Sequence, residues 1–274
     1  MVNSIGAYLC NTYQNEAWAS LANNNIEKYF NFHDIKLSVV NLDNPYVKIL
    51  SQYPNICPTI RKMLRYYSFL ESDNEYGIFI DLDTVIINPL KNVADCIDSG
   101  TNLLKTWKFS KEKSANQDYL LRKSVFVNKF FNFEIEFKCS TAFSILNKQF
   151  CSDYIKFNED TLGINITSEQ SIKQLSKLVS NKNYVVNDES ILEIFLSQPM
   201  HFKKHKKPNN YWWFGLWKKY NIIDPMLKNK ICYSNFETNL DLLELLNNDY
   251  IFWHLSNLNY KKHLLKFTEM FALL

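Results

Sequence analysis

The sequence predicts an α/β fold built on a largely parallel sheet. Three observations carry that reading. Apolar runs of strand length alternate with helix-spaced segments up to Leu90. A hydrophobic share of 46% against 22% charged residues marks a core-forming globular chain. Only five Gly and seven Pro interrupt 274 residues, which leaves room for long regular elements. At this length one large domain is expected, spanning residues 1–274.

Taken in order, Ser4 to Leu9 is a short apolar run that suits a first strand. Asn11 to Tyr29 places Ala17, Trp18, Leu21, Ile26 and Tyr29 at helical spacing, and Ile35 to Leu42 is a β-branched second strand. A short helix over Tyr46 to Tyr53 is ended by Pro54. Pro58 starts a longer helix over Cys57 to Leu70, with Ile60, Met63, Leu64, Tyr67 and Leu70 on one apolar face. The stretch Tyr76 to Pro89, YGIFIDLDTVIINP, follows as the third strand.

Further on, Lys91 to Ile97 reads as a helix, Asn102 to Trp107 as a strand, and Lys111 to Arg122 as a helix or polar loop. Cys139 to Leu146 is a buried strand, Ser168 opens a helix to Leu178, and Tyr184 to Val186 is a strand. Asp188-Glu189 then opens the apolar helix Ile191 to Leu196, where acidic residues suit the helix dipole. Strands are expected at Ile231 to Tyr233 and Tyr250 to His254, and helices at Leu240 to Leu246 and residues 264–274.

Composition narrows the function classes. A formal net charge of +3 gives no support for nucleic-acid binding. Six scattered cysteines form no CxxC pair and no zinc-ligand spacing, and they read as reduced thiols of a cytoplasmic protein. Neither a charged leader nor an apolar run of membrane-spanning length is visible. Between residues 203 and 219, six lysines accompany three tryptophans. That segment is either a solvated loop beside an aromatic cluster or a patch for an acceptor or for the inner membrane face.

The chemistry concentrates in IFIDLDTV. On a continuing strand Asp81 and Asp83 would share one face, with Leu82 opposite. Two like charges so close require a proton or a cation between them, so a divalent metal site is the first expectation. In open α/β sheets ligands bind beyond the carboxyl ends of strands, where this pair sits.

Two families share an apolar strand ending in D-x-D. The string is similar to the nucleophile motif of haloacid-dehalogenase-like phosphatases, in which Asp81 would attack phosphorus. In that family a Gly usually follows the second Asp, where this chain has Thr84, and no G-D-x-x-x-D segment lies downstream. More of the surroundings resemble DXD-containing nucleotide-sugar glycosyltransferases of the GT-A fold, as in capsular or lipopolysaccharide synthesis. Arg65-Tyr66 match the R-Y of their S-D-x-x-R-Y helix, Tyr76-Gly77 match Y-G, and Asp81 and Asp83 match the DXD. Val85 and Asn88-Pro89-Leu90 match its continuation, whereas Arg61-Lys62 stand where S-D is usual.

The resemblance implies a GT-A α/β fold and transfer of a sugar, from a UDP-sugar first of all, to a glycan, glycolipid or protein acceptor. Mn²⁺ or Mg²⁺ would bridge the donor diphosphate, held by Asp81 and Asp83. WHLSNLNYKKH, from Trp253, is similar to the H-x-x-G-x-x-K segment of such enzymes. His254 would be the third metal ligand and Lys261 a diphosphate contact. Arg65, Tyr66 and Asp81 would touch the donor. Asp188 and Glu189 resemble the carboxylates placed beside the acceptor and the transferred sugar. A non-catalytic sugar- or partner-binding relative would keep the fold without turnover.

Overall fold

The computed structural model describes residues 4–13, 16–108, 137–180, 186–196, 219–223 and 251–254. The first apolar run forms β1 (Ile5–Cys10), followed by α1 (Ala17–Phe32), β2 (Lys36–Val40) and α2 (Pro45–Ser51). A 3-10 turn (Pro58–Met63) continues as α3 (Leu64–Leu70), and β3 (Tyr76–Ile80) and β4 (Thr84–Ile86) come next. A second 3-10 turn (Val93–Cys96) leads to β5 (Asn102–Lys108) and, later, β6 (Phe137–Asn147). Helices α4 (Lys148–Asp160), α5 (Glu169–Val179) and α6 (Asp188–Leu196) follow, with β7 (Ile222–Ile223) and β8 (Phe252–His254).

Among the described residues the main sheet has six strands in the order β2-β1-β3-β6-β5-β7. β1 pairs in parallel with β2 and β3, and β5 with β7, while β6 is antiparallel to both β3 and β5. Five strands therefore run one way and β6 alone runs back. This is the α/β class, with a mostly parallel sheet flanked by helices, that the alternating pattern predicts.

Strand alternation splits the core in two. Tyr8 and Phe79 point to one side with residues of α3, α4 and α6, whereas Ala7, Leu9, Ile78 and Ile80 point to the other with residues of α1. Phe79 is fully buried, stacked on Tyr8 at 5.5 Å and tilted against Tyr66 at 4.6 Å. The glycine of Y-G has a packing reason. A Cβ on Gly77 would come within 2.8 Å of the Phe79 ring and 3.1 Å of Phe69, both locked in this cluster.

Local signals explain the boundaries, including those the sequence pattern misplaced. Asn44 caps α2, its Oδ1 accepting from the backbone N–H groups of Tyr46 and Val47, with Pro45 at the first helical position. The expected helix over Cys57 to Leu70 is part 3-10 and part α, and that over Lys91 to Ile97 is only a 3-10 turn. Pro58 stands at the start of the first, and the Asn92 side chain caps the second by accepting from the Ala94 N–H. Helix α1 ends through Asp34, at φ 55°, while the Ile35 N–H donates to the Phe30 carbonyl at 2.9 Å.

Helix α4 has no counterpart among the sequence expectations. Its signal is there, since Phe150, Cys151, Tyr154, Ile155 and Phe157 recur at helical spacing behind the cap Asn147, whose Oδ1 accepts from the Phe150 N–H. It follows β6 without a turn residue, which hides the boundary. The calls at Lys111 to Arg122, Tyr184, Ile231 to Tyr233, Leu240 to Leu246 and 264–274 lie outside the described residues.

Candidate metal centre

The site is built at the carboxyl end of β3. β3 stops at Ile80, so the pair is not carried on a continuing strand. Instead Asp81 to Thr84 make a turn closed by the Thr84 N–H on the Asp81 carbonyl, at 3.2 Å. The Asp81 N–H still bonds the Ala142 carbonyl of β6 at 2.7 Å, which fixes the start of that turn against the sheet. β4 then pairs antiparallel with β8, in the register Thr84 to His254 and Ile86 to Phe252. This pairing carries His254 across some 170 residues to the carboxylates, an approximate separation by sequence number.

Ligand atoms of Asp81, Asp83 and His254 all lie within 4.8 Å of one another. Asp81 and His254 are buried, and Asp83 is partly open to solvent. Two carboxylates and one imidazole fit a small divalent cation; the oxygens suit Mg²⁺ or Mn²⁺, and the imidazole favours Mn²⁺. The arrangement can hold a metal, and it also has protein cations of its own.

Arg65, fully buried, is the anchor. Its Nη1 donates to the Ile80 carbonyl at 2.8 Å and to Asp81 Oδ1 at 3.0 Å, Nη2 to the Thr141 carbonyl at 3.2 Å, and Nε to the Lys62 carbonyl at 3.1 Å. Its contacts are with Asp81 and the backbone, not with solvent. Lys62 Nζ donates to the other Asp81 oxygen, Oδ2. Burial opposes the Lys62 charge, but Asp81, Asp188 and Asp83 outweigh it and raise the ammonium above its usual range.

His254 Nε2 lies 3.1 Å from Asp83 Oδ1. Burial works against charge on both groups, yet the imidazolium holds the Asp83 carboxyl below its usual range and Asp83 lifts His254 above 6.5. A raised imidazole pKa contributes stability that is full below about 6.5 and is lost as pH rises through the folded value. In metal-free protein held in EDTA, His254→Gln should therefore lower the melting temperature more at pH 6 than at pH 9. A gap that does not change with pH would contradict this pairing.

Asp188, also buried, opens α6 and accepts from Thr141 Oγ1 on β6. Thr141 links it to Arg65, since the Thr141 hydroxyl donates to Asp188 while the Thr141 carbonyl accepts from Arg65 Nη2. Asn187 and Ser190 cap this helix reciprocally, Ser190 N–H on Asn187 Oδ1 at 2.7 Å and Asn187 N–H on Ser190 Oγ at 2.8 Å. Glu189 is only partly buried. Tyr66 packs in the core against Phe79 and Tyr154, its hydroxyl enclosed. Lys261 and nearly all of the Lys/Trp segment lie outside the described residues.

Two residues near the site escaped the sequence reading. Lys62 stands where the resemblance expected an acidic residue, and nothing in its spacing announces a carboxylate partner 19 positions on. Tyr13, just beyond β1, is 40% exposed and packs on Trp18 at 5.4 Å. Its phenol is raised by burial and feels both Lys62 and Asp83. A partly exposed aromatic ring near a candidate metal cluster offers a flat face to a ligand.

No family model matches the chain, and no curated protein matches it. Among solved structures it is similar to the crystal structure of a glycosyltransferase involved in the glycosylation of the major capsid of PBCV-1. The two share 10% identity at a TM-score of 0.44, over 99% of this chain and 100% of that one. Among the described residues no helix is long and apolar enough to cross a membrane.

Proposed function

We propose that this chain is a metal-dependent glycosyltransferase of the GT-A type. It takes a sugar from a nucleotide-diphosphate donor, a UDP-sugar first of all, and passes it to a glycan, glycolipid or protein acceptor. The observation that supports this best is the convergence of Asp81, Asp83 and His254 at the carboxyl end of β3, with Asp188 tied to Arg65 through Thr141. Mn²⁺ or Mg²⁺, when bound, supplies positive charge where the diphosphate leaving group gathers negative charge.

The chain's own residues have distinct roles in this reading. Asp83 is the ligand with the more open approach, and the buried Asp81 and His254 complete the set. Arg65 orients Asp81 from beneath, because four acceptors fix its guanidinium. Tyr13 supports the donor base by packing. Asp188, in the hydrogen bond from Thr141, stands beside the transferred sugar, and Glu189 lies next to it at the mouth of α6. Asp188 either takes the proton of the acceptor hydroxyl or stabilises positive charge on the sugar ring, according to stereochemical course. Lys261 is assigned to the diphosphate, and the segment 203–219 to an acceptor or membrane surface.

The phosphatase alternative needs Asp81 as a free nucleophile. Both of its oxygens are instead engaged by Lys62 and Arg65, which lowers nucleophilicity. Thermal melting with Mn²⁺ and a panel of nucleoside diphosphates and their sugars separates the readings. Stabilisation by UDP or GDP together with metal, and slow donor cleavage, is the expected result. Turnover of an aryl phosphate with no response to any nucleotide would replace the transferase with the phosphatase. Donor binding without cleavage, across a set of acceptors, would indicate a non-catalytic relative.

A further inference from the structure

The two cations on Asp81 are not equivalent. Arg65 is completely buried and spends its donors on Asp81 and three backbone carbonyls, so it cannot leave. The Lys62 side chain is 28% exposed, and among the described residues its ammonium donates to Asp81 Oδ2. A lysine stem has four rotatable bonds and a compact charged tip, well suited to move between anions. With the two cations in place, one on each oxygen, Asp81 offers little to an incoming metal. A divalent ion arriving alone must displace the ammonium and leave it near positive charge, a costly exchange in a buried site.

We propose that Lys62 is a tethered cation that blocks Asp81 until a donor diphosphate draws it away, so that metal and donor load together. This rests on the transferase reading, since the diphosphate is the anion that receives the ammonium. The device belongs to this chain because Lys62 occupies a position where an acidic residue was expected. It makes each ligand tighten the other, and linkage requires the effect to be reciprocal.

The test measures Mn²⁺ affinity by electron paramagnetic resonance, without nucleotide and with UDP or GDP in parallel. It uses the wild type, Lys62→Met and Lys62→Arg, each checked for a wild-type melting transition. Without nucleotide, Lys62→Met is expected to bind Mn²⁺ at least about tenfold more tightly than wild type, in proportion to a lost charge repulsion near a buried pair. Lys62→Arg should keep the weak wild-type affinity, which separates charge from packing. Nucleoside diphosphate should tighten Mn²⁺ in the wild type and do so much less in Lys62→Met.

Equal Mn²⁺ affinity in wild type and Lys62→Met would overturn the inference. If the nucleotide still promoted metal binding in both, the transferase reading would stand without it. A nucleotide that leaves Mn²⁺ binding unchanged in the wild type would overturn the coupling. Absence of any binding by UDP or GDP would take the transferase reading with it.

Discussion

Asp83→Asn is expected to reduce donor cleavage and sugar transfer by on the order of 100-fold or more, and to abolish the Mn²⁺-dependent rise in melting temperature. The reason lies in how the three candidate ligands of the proposed metal centre differ. Asp81 keeps the buried Arg65 as its counter-charge even when Lys62 has left, and His254 is neutral whenever it can bind a metal. Asp83 is then the ligand with an unshared negative charge, and it is the one that reaches solvent. The amide keeps the shape and one oxygen, so the fold should survive while the affinity for a hard cation falls. Steady-state kinetics across Mn²⁺ concentrations would check this. Activity restored by saturating Mn²⁺ would show that Asp83 aids affinity only.

Arg65→Met is expected to cost about 3–5 kcal/mol of stability, the range for removing one partner of a buried ion pair. Methionine fills much of the volume, so the loss comes from polarity and not from a cavity. The carbonyls of Ile80, Thr141 and Lys62 lose their donor, and the buried Asp81 keeps only the partly exposed Lys62. Urea unfolding at fixed pH reads this as a shift in midpoint without a change in slope. A loss below about 1 kcal/mol would mean that Asp81 is held by the turn alone.

The parts of the fold legible in the sequence are those with a periodic apolar pattern. β1, β2 and β3 and the helices between them stand out because Ile78, Ile80, Ala7 and Leu9 face one core while Tyr8 and Phe79 face the other. The turn at Asp81 to Thr84 was less legible, since a strand and a turn share the same apolar-acidic string and it is the Thr84 N–H bond to the Asp81 carbonyl that closes the turn.

The site was legible as residue types and not as geometry. Asp81 and Asp83 announce a cation by mutual repulsion, but His254 reaches them through a two-stranded pairing that no local pattern encodes. The same limit applies to Lys62. A lysine on a 3-10 turn looks like any solvated charge until α3 and β3 pack and put it on Asp81. Arg65 shows the opposite case, a charged residue on a helix whose full burial is explained by Asp81 and three backbone carbonyls that the sequence does not reveal.

In the proposed function Asp81, Asp83 and His254 would hold a divalent cation together with a nucleoside diphosphate. Pulsed electron paramagnetic resonance of the protein with Mn²⁺ and UDP or GDP tests it directly. One bound Mn²⁺ should show both phosphorus coupling from the nucleotide and nitrogen coupling from an imidazole, the latter lost in His254→Gln. A Mn²⁺ signal with neither coupling, or with nitrogen coupling unchanged in His254→Gln, would contradict the account.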